Sequence, residues 1–219
     1  MSDFEFSRRP IKARDTRWAA SIASWLAYSG IRPNLISVFS AVFAAGAGGC
    51  LAATPYCEAA GAAVLFVTAA LCVQLRLLCN LFDGMVAIEG GFKTKSGEIF
   101  NELPDRFADA FILTGLGYAS SMWPYGPTLG WLATALALGT AYVRALGAAA
   151  GAGQCFLGPM AKQHRMAVVT AASLAAAAAC FADWQAWVLM AALVILVAGT
   201  AATLLRRTRW VVRALEAKP

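Results

Sequence analysis

Six apolar runs, each long enough to cross about 30 Å of hydrocarbon as a helix, take up most of this chain, at positions 33–53, 59–82, 107–123, 129–147, 166–182 and 184–205. A run of that kind has two homes in lipid, the α-helix or the closed barrel, because every backbone N–H and C=O must be satisfied internally. The runs are continuous rather than alternating, so the helix is expected. The fold class is therefore all-α: a polytopic membrane protein of six transmembrane helices. With 60% hydrophobic and 14% charged residues in 219, a soluble domain is excluded, and the chain is too short for a transporter of many spans. The second and third runs are broken by polar residues at their adjoining ends, which leaves their limits the least defined.

The basic residues set the expected orientation. Arg8, Arg9, Lys12, Arg14 and Arg17 precede the first span, Lys93 and Lys95 lie between the second and third, Lys162 and Arg165 lie between the fourth and fifth, and Arg206, Arg207, Arg209, Arg213 and Lys218 follow the sixth. All fall on one side of a six-span chain. The opposite connections, at 54–58, 121–126 and 182–183, contain no Lys or Arg. The positive-inside rule thus puts both termini in the cytoplasm. The net charge of +6 is accounted for by topology and attraction to anionic lipid, and makes no case for nucleic acid. Trp123, Trp184 and Trp187 fall at the expected outer boundary and Trp18, Trp25 and Trp210 at the inner one, where amphipathic rings sit at headgroup level.

Asp3 and Glu5 interrupt any basic leader, and no apolar core follows promptly. Trp18, Ile22, Trp25 and Leu26 instead recur at helical spacing and predict an amphipathic helix in the cytoplasmic interface. The six cysteines show neither metal-pair nor disulfide spacing and are read as small core hydrophobes. The expected organisation is one unit over 1–219: an N-terminal segment with its interfacial helix to residue 30, a bundle over 31–205, and a tail over 206–219.

Within this apolar chain a polar stretch stands out. It reads Asn80-Leu-Phe-Asp83-Gly84-Met-Val-Ala87, then Gly97-Glu-Ile-Phe-Asn101-Glu-Leu-Pro104-Asp105-Arg106-Phe-Ala-Asp109. Carboxylates at membrane depth are costly unless a metal, a partner or water holds them. Asn80 and Asp83 share a helix face beside the small Gly84 and Ala87; Asn101, Asp105 and Asp109, spaced by four, fall within an arc of about 80°. The two arrays can face each other. Oxygen-only ligands suit Mg²⁺, Mn²⁺ or Ca²⁺ rather than zinc or copper, and Pro104 would free the carbonyl of Phe100 as one more oxygen. The plainer reading pairs Asp105 or Asp109 with Arg76, Arg106 or Arg144 as interhelical glue; five aligned positions with small residues between them favour a ligand site.

The same stretch resembles the signature of the CDP-alcohol phosphotransferase family, D-x-x-D-G-x-x-A-R followed eight residues later by G-x-x-x-D-x-x-x-D. On that pattern Asp83, Gly84, Ala87, Gly97 and Asp105 match without a gap, and Ile31-Arg-Pro33-Asn34-Leu-Ile-Ser37 looks like the family's entry into its first span. Six spans with an amphipathic N-terminal helix is also the family's architecture. Three positions depart: Asn80 and Asn101 replace the first and third acidic residues, and Ile88 replaces the Arg. Asn keeps a carbonyl oxygen for a hard cation but removes a negative charge; Asp109, one turn beyond Asp105, restores one.

The resemblance implies transfer of a phosphatidyl group from CDP-diacylglycerol to a hydroxyl of a polar acceptor, with CMP leaving. It implies Mg²⁺ or Mn²⁺ on Asn80, Asp83, Asn101 and Asp105, with Asp105 as base and Asp109 as a further ligand or reserve base. Nucleotide contacts are implied for Asn80, Asp83, Gly84, Ala87 and Gly97. Arg144, Lys162 and Arg165 match the zone where the family binds an acceptor's phosphate; positive-inside placement is the plainer account of Lys162 and Arg165. His164 is read as a loop residue, and Lys93 and Lys95 as topology or lipid-headgroup residues. A homodimer in a bacterial inner membrane, its site facing the cytoplasm, completes the expectation, and the small residues of 41–49 would allow close helix packing. The alternatives are transfer of a CDP-activated headgroup to diacylglycerol, a non-catalytic member that binds a nucleotide lipid, and a small ion carrier.

Overall fold

The computed structural model describes residues 16–91 and 97–218, all of whose regular structure is helical. An interfacial-length helix α1 (Arg17–Tyr28) precedes six long ones: α2 (Pro33–Ala53), α3 (Ala59–Glu89), α4 (Gly97–Ala119), α5 (Gly126–Ala149), α6 (Lys162–Ala179) and α7 (Gln185–Glu216). Arg8, Arg9, Lys12, Arg14, Lys93 and Lys95, with Asp3 and Glu5, lie outside the described residues, as do the side chains of Glu98 and Asn101.

Five of these helices are long and apolar enough to cross a bilayer: α2, α3, α5, α6 and α7. The expected third span does not join them on composition, because α4 starts ten residues earlier than the apolar run and carries Glu98, Glu102, Asp105, Arg106 and Asp109 between its start and its middle turn. Its second half, with Ile112, Leu113 and Leu116 fully buried, belongs to the core. Other limits also shift outward. α3 continues to Glu89 and α7 to Glu216, so the positions expected as a tail after 205 extend the last helix through 216. At 1.5 Å per residue α7 is about 48 Å long, well beyond the hydrocarbon thickness.

Packing orders the six long helices as a ring, α2–α4–α5–α7–α6–α3 and back to α2, with α1 laid against α3. Sequence neighbours α3 and α4 therefore touch little, because α2 packs against both. The core inside the ring is built mainly of Leu, Ile, Val, Met, Phe and Ala from all six, among them Leu51, Phe66, Val73, Ile112, Leu116, Met166, Leu193 and Leu196. α1 buries Ala19 and Ala23 against Ile36, Leu81, Met85 and Val86, and leaves Trp18, Ile22 and Trp25 exposed. An amphipathic helix lying on a bundle has this division of faces. Ser24 ties it to the end of α3 through Glu89 at 2.7 Å.

Glycine sets two of the helix contacts. A Cβ on Gly48 of α2 would stand 2.3 Å from the Phe111 carbonyl oxygen of α4, and one on Gly115 would stand 2.5 Å from the Gly48 oxygen. The small residues of 41–49 are thus used, at Gly48, inside the chain. At the far end Trp123 meets Trp187 edge to face, centroids 4.7 Å apart, and donates to the Ala186 carbonyl at 3.1 Å.

The connection 150–161 carries α6 into place. Gly151, Gly153 and Gly158 take positive φ there, and Gly158 lies so close to Thr203 of α7 that a Cβ would approach its Cγ2 to 2.4 Å. Thr203 accepts from the Met160 N–H at 2.9 Å, and Arg207 donates to the Leu157 and Thr140 carbonyls at 2.9 Å each. These bonds seat the start of α6 against α7 and tie α7 to α5. Forcing a methyl between α2 and α4 costs about 1–3 kcal/mol; Gly115→Ala is expected to lower the melting temperature of the detergent-solubilised protein, while Gly49→Ala, whose Cβ would meet nothing within 4 Å, leaves it unchanged or slightly raised.

Candidate active site

Eight side chains from α3, α4, α5 and α6 converge on the basic side of the ring. Arg76 of α3 is fully buried and reaches α4, its Nη2 lying 3.0 Å from Asp109 Oδ1 and 3.4 Å from Asp105 Oδ1. Arg165 of α6 donates to Asp109 Oδ2 at 2.6 Å and to the Met160 carbonyl at 3.1 Å. Lys162, in the first turn of α6, pairs with Asp105 Oδ2. Arg106 lies 3.8 Å from the same oxygen and 3.5 Å from Glu102, which also receives Arg144 at 2.6 Å. Helical geometry explains why the acids meet one set of cations: Glu102, Asp105 and Asp109 are spaced by three and four and share a face of α4.

Asp83 sits apart from this network. It is 5% exposed and, among the described residues, has no cation within ion-pair distance; Ser37 of α2 donates to its Oδ2 at 2.9 Å. From sequence Ser37 belongs only to the first-span entry, and nothing there marks it as a partner of the acids. Asn80, one turn before Asp83, has its Nδ2 buried with no hydrogen-bond partner. Gly84 and Ala87 stay half-buried beside them, while Ile88 is 54% exposed and covers none of the site. Gly97 opens α4, and Asn101 follows it one turn later on that helix, its side chain outside the described residues.

The two arrays expected to face each other directly do so only in part, because α2 packs between the helices that carry them. Arg76 bridges them, extending from α3 to the α4 acids. Of the basic residues, Lys162 and Arg165 lie in the first turn of α6 and each pairs with one α4 carboxylate, Asp105 and Asp109. Arg144 belongs to the neighbouring Glu102 pair, with its guanidinium 5.8 Å from the Phe156 ring. His164 is exposed at the start of α6, its Nδ1 2.7 Å from the Pro159 carbonyl. From sequence alone Arg76 is expected only as a partner for Asp105 or Asp109. Its position four residues before Asn80, on the same face of an otherwise apolar span, is the signal that points to the site.

Among the described residues no three His, Cys, Asp or Glu side chains gather as a metal cluster. A hard divalent ion nevertheless fits the donor chemistry at Asp83. A buried carboxylate without a cationic partner calls for one, and Asn80, one turn earlier on α3, carries a carboxamide oxygen of the kind a hard cation accepts.

Three crystal structures of a phosphatidylinositol phosphate synthase from Mycobacterium tuberculosis resemble this chain. The form with CDP-DAG bound is 19% identical, covers 90% of this chain and 94% of its own, and has a TM-score of 0.70. The form with manganese and citrate is 18% identical over 92% and 93%, TM-score 0.73; the apo form is 20% identical over 87% and 94%, TM-score 0.63. The two proteins share a fold. No family model matches the chain, and no curated protein does. Five of this chain's helices are long and apolar enough to cross a bilayer, as an integral membrane protein requires.

Loss of Asp109 is costly to the bundle, because it is 1% exposed and holds two guanidinium groups. Removing one member of a buried charge network costs about 3–5 kcal/mol. Asp109→Ala is expected to lower the thermal unfolding midpoint far more than Glu102→Ala, whose carboxylate is 38% exposed.

Proposed function

We propose that this protein is a CDP-alcohol phosphotransferase of the lipid-synthesising kind, moving a phosphatidyl group from CDP-diacylglycerol to a hydroxyl of a polar acceptor and releasing CMP. The observation that carries the reading is the likeness over 90% of the chain to a synthase solved with CDP-DAG bound, joined to the motif register of Asp83, Gly84, Ala87, Gly97 and Asp105.

In this reading Asp83 and Asp105, with the carboxamide oxygens of Asn80 and Asn101, hold Mg²⁺ or Mn²⁺. The ion would neutralise charge on the diphosphate and favour departure of CMP. Asp105 accepts the proton of the acceptor hydroxyl. Lys162 and Arg76 hold that carboxylate in a fixed orientation from two sides, which keeps the base where the hydroxyl must arrive. Gly84 and Ala87 leave room for the nucleotide against α3, and Asp109 anchors Arg76 and Arg165 rather than serving as a second base. Lys162, Arg165 and Arg144 supply cationic charge for a phosphorylated acceptor. The site opens towards the cytoplasm of a bacterial cell, in a chain that works as one unit and pairs as a homodimer.

The activity is tested by giving membranes that contain the protein CDP-diacylglycerol, Mn²⁺ and a panel of acceptors including glycerol phosphate, an inositol phosphate and serine. CMP release is expected with one of them, and Asp105→Asn is expected to reduce it by at least about a hundredfold without loss of the folded protein. Release of CMP only when a CDP-activated alcohol and diacylglycerol are supplied would move the reading to headgroup transfer, and no release from either donor would remove the enzyme assignment.

A further inference from the structure

Buried donors without acceptors concentrate at one place. Among the described residues seven buried side-chain N or O atoms lack a hydrogen-bond partner, and four of them are Arg76 Nε, Arg76 Nη1, Asn80 Nδ2 and Arg165 Nε. All four are N–H donors. Leaving such a group dry and unpaired costs about 1–3 kcal/mol, and more for a charged one. Arg76 uses Nη2 alone on the two α4 carboxylates, so most of a five-donor guanidinium is unspent. Asn80, one turn further along α3, lies on the same helix face.

Charge points the same way. The ion pairs here join five basic side chains, Arg76, Arg106, Arg144, Lys162 and Arg165, to three carboxylates, Glu102, Asp105 and Asp109. The nearby Asp83 does not cancel the excess. A surplus of positive charge beside unspent donors in a low-dielectric setting favours an anion with several acceptor oxygens.

We propose that Arg76 and Asn80 form a donor row on α3 that binds an oxygen of the substrate's diphosphate directly, with no metal ion needed for that contact. This deepens, and rests on, the transferase reading. An aspartate at position 80 offers only acceptors when ionised, whereas a carboxamide offers its oxygen to a cation and its N–H groups to a phosphate at the same time. Asn80 is therefore the residue that lets one side chain serve both charges, and Arg76 supplies fixed positive charge at the diphosphate.

The test is nucleotide binding without metal. The full chain in detergent micelles with EDTA is titrated with CDP by calorimetry, and Mn²⁺ binding is followed separately by electron paramagnetic resonance. The wild type binds CDP in EDTA, and Asn80→Asp weakens that binding by about tenfold or more, a cost of about 1.4 kcal/mol, while tightening Mn²⁺. Asn80→Leu weakens CDP without tightening Mn²⁺. Arg76→Met weakens CDP further; because Arg76 also holds Asp105 and Asp109, its result counts only for a variant whose unfolding midpoint shows it folded, and the two Asn80 variants carry the test otherwise. CDP binding that is absent in EDTA, or unchanged in Asn80→Asp, overturns the proposal, as does inorganic phosphate competing as strongly as CDP. Failure of the transferase reading looks different: no CMP is released from any donor, whatever the EDTA titration shows.

Discussion

The cost of placing charge in a low-dielectric interior governs this bundle more than any apolar contact does. Asp109 and Arg76 are both sealed from solvent, and neither is tolerable there without the other. Because Arg76 sits on α3, Asp109 on α4 and Arg165 on α6, satisfying the charges forces three helices into one register at the basic end of the ring. Apolar packing does not choose among rotations of a helix that is hydrophobic all round. The ion network does, and the orientation of Lys162 and Asp105 follows from it.

Around that constraint the other features act as supports. Gly48 and Gly115 let α2 and α4 meet at backbone distance, which brings the acid-bearing helix against the helix that carries Ser37. The 150–161 connection, tied to Thr203 and Arg207 of α7, fixes where α6 starts and hence where Lys162 and Arg165 enter. Trp123 and Trp187 close the opposite end. Rigidity at the site is thus assembled from contacts on α2, α5 and α7 that carry none of the proposed chemistry.

The site also separates two kinds of carboxylate. Asp105 and Asp109 are surrounded by cations, whereas Asp83 has a single hydroxyl donor among side chains. Such unequal neighbours allow unequal tasks, one acid open to a cation, one held for proton transfer and one spent on structure. Carboxamides at Asn80 and Asn101 fit that division, since a carboxamide serves both a cation and an anion without adding charge.

The all-helical fold, five of the six expected spans and the polar stretch were legible in the chain because lipid-length apolar runs and 3.6-residue spacing are local properties. Pro33–Ala53 is recovered to the residue. The start of α4 was not, since charges that pair only in three dimensions read as a break in an apolar run. Arg76 could be seen as a charge in a span, but its bridging of α3 to α4, the cyclic order that inserts α2 between sequence neighbours, and the seating of Lys162 and Arg165 on the α4 acids depend on which faces meet. Periodicity says which residues share a face of one helix; only packing, through the demand that each buried charge find its opposite, decides which face it meets.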